Sequence, residues 1–263
     1  MTIPPGAVEC RMASLTVYLI TKNEERHLAE VLAACVGAEE ILIVDSGSTD
    51  RTLEIARAAG ARVVHQDWLG FAAQKNFALT QCRHEWVLHL DGDEVLSPGA
   101  LALMKAAIAS GRADGFYLRR DDRFMGESMS ASHCRPFLRL YRRAGARWDE
   151  RKLVHEHVAV PGRHELLPGV GLAHFGYDTV AGYMDKLNKY SVLKARMRHR
   201  DARGYSFLRL VGAFPLGLVK HLFFRRMLFS GPRGWVRAMQ DAFSMFLTEA
   251  MLLELARRER SGR

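Results

Sequence analysis

A regular alternation in the N-terminal half constrains this chain more than any other feature. Runs rich in β-branched and aromatic residues fall at 15–20, 41–44, 62–65 and 86–90. Between them lie segments with helical spacing, at 23–34, 49–59 and 71–82, and Ser97-Pro98 opens another. Local signals agree with these helices. Asn23 can cap the first, with Glu24 and Glu25 in the turn that the helix dipole favours. Thr49 or Asp50 can cap the second and Gly60 can end it, while Pro98 suits a first helical position. Strands that alternate with helices predict an α/β fold, a mostly parallel sheet flanked by helices. Such sheets bind ligands beyond the carboxyl ends of their strands.

Two of those ends carry carboxylates. The stretch WVLHLDGDE, residues 86–94, places Asp91, Asp93 and Glu94 directly after an apolar run, where they repel one another. Gly92 permits a tight turn, through which two carboxylates can reach one divalent cation, Mg²⁺ or Mn²⁺. The alternative is a plain surface turn. In ILIVDSGSTD, residues 41–50, Asp45 ends a strand and Ser46 and Gly47 lead into a turn. That turn can grip a ribose or base and present backbone amides, or it is an ordinary connection. Neither GxGxxG nor GxxxxGK[ST] occurs, so the dinucleotide fingerprint and the P-loop are absent.

The second half reads differently. Strands are predicted at 115–119 and 137–141, among loops rich in Arg, His and Gly. From Thr179 onward the pattern is helical, with Tyr183, Leu187, Tyr190, Leu193 and Met197 on one face and Lys or Arg on the others. Residues 207–229 are apolar but carry Arg209, Lys220, Arg225 and Arg226, and a last amphipathic helix is predicted over 235–258. This divides the chain into a flexible N-terminus (1–13), an α/β domain (14–178) and a basic amphipathic helical extension (179–263). The longest apolar candidate for a membrane span, 210–219, is interrupted by Pro215 and flanked by Arg209 and Lys220. The expectation is therefore a cytoplasmic protein without a transmembrane segment. A formal net charge of +9 points to an anionic partner. Basic helices with apolar faces fit an anionic membrane surface, or they cap the α/β domain.

TKNEE (21–25), VDSGSTD (44–50), QKNFAL (74–79) and LDGDE (90–94), in that order, resemble the family 2 glycosyltransferases. RLYRR (139–143), VHEHV (154–158) and LNKYS (187–191) are similar to its lipopolysaccharide core β-1,4-glucosyltransferase branch, although SHCRP at 132–136 departs from that branch. The resemblance implies a GT-A type, Rossmann-like fold and inverting, metal-dependent transfer of a sugar, glucose first, from a UDP-sugar. The implied acceptor is lipopolysaccharide inner core or a related lipid-linked glycan. It also implies donor contacts from Thr21, Asn23, Glu24, Asp45, Ser46, Gly47, Lys75, Asn76, Asp91 and Gly92, with Asp93 on the metal. Within VHEHV, Glu156 is the candidate base for the acceptor hydroxyl, and His155 or His157 a candidate for the metal or the diphosphate. Arg135 and Arg139 are candidates for an acceptor phosphate. Lys75 is either a counter-charge to the donor phosphates or a solvated helix lysine. Two other readings stay open: a transferase for polyprenyl-linked or capsule precursors, and a non-catalytic basic module for membrane or nucleic acid. The acidic strand ends speak against nucleic acid.

Overall fold

The computed structural model describes residues 14–129, 136–151, 157–176, 179–201 and 204–261. The predicted alternation is present: β1 (Leu15–Thr21), α1 (Leu28–Ala33), β2 (Glu40–Asp45), α2 (Thr52–Ala58), β3 (Arg62–His65), α3 (Phe71–Gln81) and β4 (Trp86–His89). Then follow β5 (Glu94–Leu96), α4 (Ala100–Ala109), β6 (Gly115–Phe124), β7 (Glu127–Ser128), β8 (Phe137–Arg142), β9 (Arg147–Trp148), β10 (Val158–Ala159) and β11 (His164–His174). The main sheet runs β3-β2-β1-β4-β8-β6-β11-β5, with β7 beside β6. Strands β3, β2, β1 and β4 are mutually parallel. Strand β8 enters antiparallel between β4 and β6, and β11 pairs parallel with β6 and antiparallel with β5.

Strand periodicity explains why both sheet faces are buried. On β1, Leu15, Val17 and Leu19 point into a core that α1, α2 and α4 cover, while Tyr18 points into a second core beneath α3. Strand β4 repeats this, with Trp86 and Leu88 on one face and Val87 on the other. Such two-sided burial is what a parallel sheet requires. Removing one fully buried side chain, as in Leu88→Ala, would cost about 2–5 kcal/mol.

Several predicted boundaries move. Asn23 does not cap α1; its φ is +57° and His27 occupies the cap position. Arg51 precedes α2, although Asp50 Oδ1 does accept from the Thr52 amide at 3.0 Å. The helix after Pro98 begins only at Ala100.

The C-terminal part consists of α5 (Val180–Arg200), α6 (Phe207–Val219), a π turn (Lys220–Phe224), a 3₁₀ turn (Met227–Ser230) and α7 (Gly231–Arg260). Pro232 lies in the first turn of α7, so GPRG opens that helix and does not merely precede it. Phe124 of β6 and Met129 form a third core with Tyr183, Leu222, Met227 and Ala238. Pro215 lies inside α6, and the helical run 207–224 continues past it. That run has 18 residues, a mean hydropathy of 1.5 and only 17% of its length buried. By length and composition this run would suffice to cross a membrane with Arg209 and Lys220 inside it, and it is longer than the 210–219 candidate read from the sequence.

Candidate active site

The parallel strands end together, and the sequence motifs meet there. The loop after β1 and the loop after β2 are laced to each other. Asn23 Oδ1 accepts from the Thr49 amide at 2.8 Å, the Asn23 amide donates to Ser48 Oγ at 2.9 Å, and the Glu24 amide to Thr52 Oγ1 at 2.8 Å. Asp45 lies at their root, 1% exposed. Its carboxylate accepts from Thr21 Oγ1 (3.0 Å), Ser48 Oγ (2.5 Å) and the amides of Gly47 (2.9 Å) and Ser48 (2.8 Å). Asp45 therefore sets the turn's shape, and it lines a cavity of about 300 Å³ with Arg57 and His65. Gln74 ties Ser46 Oγ to the start of α3 at 3.0 Å.

Lys75 is buried, not solvated. Its Nζ lies 4.5 Å from the centre of the Trp148 ring, and its charge acts on Asp91. Asn76 braces the segment after β8: Oδ1 accepts from the Trp148 amide at 2.8 Å, and Nδ2 donates to the Trp148 carbonyl at 3.0 Å and to Glu150 at 2.7 Å.

The acidic run divides into two parts. Arg139, 4% exposed, is turned inward from β8. Its Nη2 donates to Asp91 at 2.9 Å and to Glu94 at 2.5 Å, and Nη1 meets His89. Burial alone would raise the Asp91 carboxyl, but Arg139 and Lys75 hold it well below the carboxylate range. Arg139 is thus the internal counter-charge of the strand end, and its fork is not presented to an acceptor phosphate.

Asp93 belongs to the other part. Across from it stands His174, at the end of β11, with Nε2 3.5 Å from Asp93 Oδ2. His174 Nδ1 is 3.0 Å from Asp122 Oδ1, and Asp122 is also paired with Arg120 and Arg237, each at 2.8 Å. Burial alone would lower the His174 imidazole; its bonds to Asp122 and Asp93 hold it above its usual range. Gly176 packs closely on this pair, since a methyl there would lie 2.6 Å from Asp93 Oδ2 and 2.8 Å from His174 Nε2. Gly92 has a comparable reason: a methyl would lie 2.8 Å from Glu24 Cγ. Burial, then the charges of Asp93 and Asp91, push the Glu24 carboxyl up to about 7.

These features fit a hard cation. Among the described residues no three His, Cys, Asp or Glu side chains form a ready ligand cage. Asp93 Oδ2 and His174 Nε2 nevertheless stand 3.5 Å apart at the strand ends, where only a glycine fits at 176, beside the Glu24 carboxyl that burial, then the charges of Asp93 and Asp91, push up. Mg²⁺ and Mn²⁺ commonly take few protein ligands and fill their shell with substrate phosphate and water.

Of the other predicted residues, Arg135, His155 and Glu156 lie outside the described residues, and His157 is exposed. Sequence reasoning missed His174, Asp122 and Arg237. Only His174 had any local signal, an isolated histidine before Phe175-Gly176.

A parallel half-sheet with laced strand-end loops, continued by a mixed half that returns a histidine to the acidic turn, is a GT-A type fold. The chain belongs to glycosyl transferase family 2, whose profile matches residues 16–164. It is 32% identical to the lipopolysaccharide core biosynthesis glycosyltransferase LpsC of Rhizobium meliloti, over 91% of this chain and 92% of that one. It is 28% identical to an uncharacterized glycosyltransferase of Rickettsia typhi, over 95% and 90% of the two chains. Among solved structures, residues 1–349 of S. aureus TarS align with 95% of this chain and 92% of that one, at a TM-score of 0.47 and 16% identity.

Proposed function

We propose that this protein is a metal-dependent, inverting glycosyltransferase that moves a sugar, glucose first, from a UDP-sugar to the inner core of lipopolysaccharide or a related lipid-linked glycan. The observation that carries the reading is the pairing of Asp93 with His174 at the strand ends, beside the Glu24 carboxyl. The core-lipid acceptor is supported by the likeness to LpsC, and UDP-glucose by the motif resemblance.

In this reading residues 14–178 form the catalytic domain and 179–263 the helical extension. The Asp45 turn, with Thr21, Asn23, Ser46 and Gly47, holds the nucleoside. Asp91 and Gly92 adjoin the ribose and sugar, and Lys75 offsets phosphate charge from beneath Trp148. Asp93, with His174, would hold Mg²⁺ or Mn²⁺, which when bound stabilises the departing diphosphate. Glu156 takes the proton of the attacking hydroxyl, and Arg135 contacts acceptor phosphate. The protein works peripherally at the inner face of the cell membrane, consistent with its excess of Lys and Arg.

The test is transfer from labelled UDP-glucose, and from other UDP-sugars, to truncated core lipids and to polyprenyl-linked glycans. Metal-dependent transfer to core lipid, lost in Asp93→Ala, is expected. Transfer only to polyprenyl-linked acceptors would replace the acceptor assignment, and metal-independent transfer would remove the metal.

A further inference from the structure

One large surface plays no part in the site. On α6 and the two turns after it, Leu208, Leu216, Phe223, Phe224 and Phe229 are 60–82% exposed. Isolated exposed apolar side chains are ordinary, but five large ones within one short segment mark a docking surface. Every charged side chain within 207–229 is basic: Arg209, Lys220, Arg225 and Arg226. The Arg226 guanidinium lies 5.2 Å from the centre of the Phe229 ring, which places charge directly beside the apolar face.

The opposite face of the same segment is held by the protein. Ala213 and Gly217 are buried, with Gly217 against Ala242 and Met245 of α7. Leu222 and Met227 sit in the core that includes Phe124, Tyr183 and Ala238. A helix that crossed a bilayer would have to leave these neighbours. One that lies along the surface keeps them and buries its outer side chains at the level of the headgroups. The charge pattern selects the partner as well. A second copy of this chain, packed on the same face about a two-fold axis, would bring like charges together. An anionic lipid surface complements them.

We infer that residues 207–229 form an in-plane wedge that seats the protein on an anionic bilayer through one half of its circumference, without spanning it. This goes beyond the transfer reaction and names the face and the mode of attachment.

The experiment is sedimentation of the full chain with vesicles of phosphatidylglycerol and phosphatidylcholine in equal parts, and with phosphatidylcholine alone. Binding to the mixed vesicles is expected, weakening as salt rises and released by an alkaline carbonate wash. Phe223→Ser with Phe224→Ser should reduce it about tenfold or more. Lys220→Glu with Arg226→Glu changes only exposed side chains and should reduce it on the mixed vesicles. Leu103→Ser, exposed on α4, should bind as the parent does. No binding to anionic vesicles, or binding that neither double variant weakens, overturns the inference. Resistance to the carbonate wash would show spanning and overturn the in-plane mode. A dimer lost in the same variants, without vesicle binding, would assign the face to a second copy. None of these readouts depends on sugar transfer, so failure here leaves the enzymatic reading intact.

Discussion

Arg237 of the last helix donates to the Asp122 carboxylate at 2.8 Å, 115 positions away in the chain. That carboxylate orients the imidazole facing Asp93. The C-terminal helices are therefore joined to the strand ends of the candidate site through a buried, charged chain of contacts: Arg237, Asp122, His174, Asp93.

Asp122→Asn keeps the shape of this chain but removes the charge that fixes the imidazole. Partners of this kind are worth about 10–100-fold in metal affinity. Titration of the variant with Mn²⁺, followed by thermal unfolding, should show a loss of that size. An unchanged Mn²⁺ response would detach Asp122 from the site.

Gly176→Ala tests the close approach of the backbone to Asp93 and His174. Its methyl would lie 2.6 Å from Asp93 Oδ2. The folded state should persist while stabilisation by Mn²⁺ with UDP falls about tenfold or more in apparent affinity. Calorimetric titration gives the answer directly.

Arg139 is expected to behave as a structural counter-ion. Arg139→Ala leaves Glu94 buried without its closest cation and Asp91 without its partner at 2.9 Å. Breaking a buried pair from one side costs about 3–5 kcal/mol, and denaturant unfolding should show a loss of that order. Arg139→Lys should recover only part of it, because one ammonium cannot reproduce the fork.

Glu24 makes the metal-free protein sensitive to pH. Its carboxyl titrates at about 7 when folded, against 4.5 for an unperturbed one. The folded state thus binds the proton more tightly, and stability falls as pH rises from about 4.5 through about 7. In chelator, the melting temperature should decline across that window, and Glu24→Gln should flatten the decline. A profile identical in parent and variant would contradict this.

The parallel half of the fold was legible because each strand carries its own signal. The runs at 15–20, 41–44 and 86–90 are apolar on both faces, and Asp45 and Asp91 stand where they end. The partner of Asp93 was not legible. His174 arrives through the antiparallel pairing of β11 with β5, in which it lies opposite Glu94. No local pattern encodes a contact over that chain separation, and Pro168, Gly169 and Gly171 make β11 read as loop. Arg139 misled for a related reason. In RLYRR it reads as one of a basic cluster, yet strand pairing turns it inward while Arg142 stays partly exposed. Asn23 looked like a cap because its side chain does cap backbone, but that of the neighbouring loop at Thr49.

The most direct test of the account is thermal unfolding of the full chain with UDP, with and without Mn²⁺, in the parent and in Asp93→Ala. At UDP about 100-fold above its Kd, in the presence of Mn²⁺, stabilisation of about 3 kcal/mol should raise the melting temperature by about 5 °C or more. UDP without Mn²⁺ should do much less, and Asp93→Ala should abolish the metal-dependent part. A UDP shift that persists in Asp93→Ala would contradict the assignment of Asp93, and no shift with UDP or any other nucleoside diphosphate would contradict the donor site altogether.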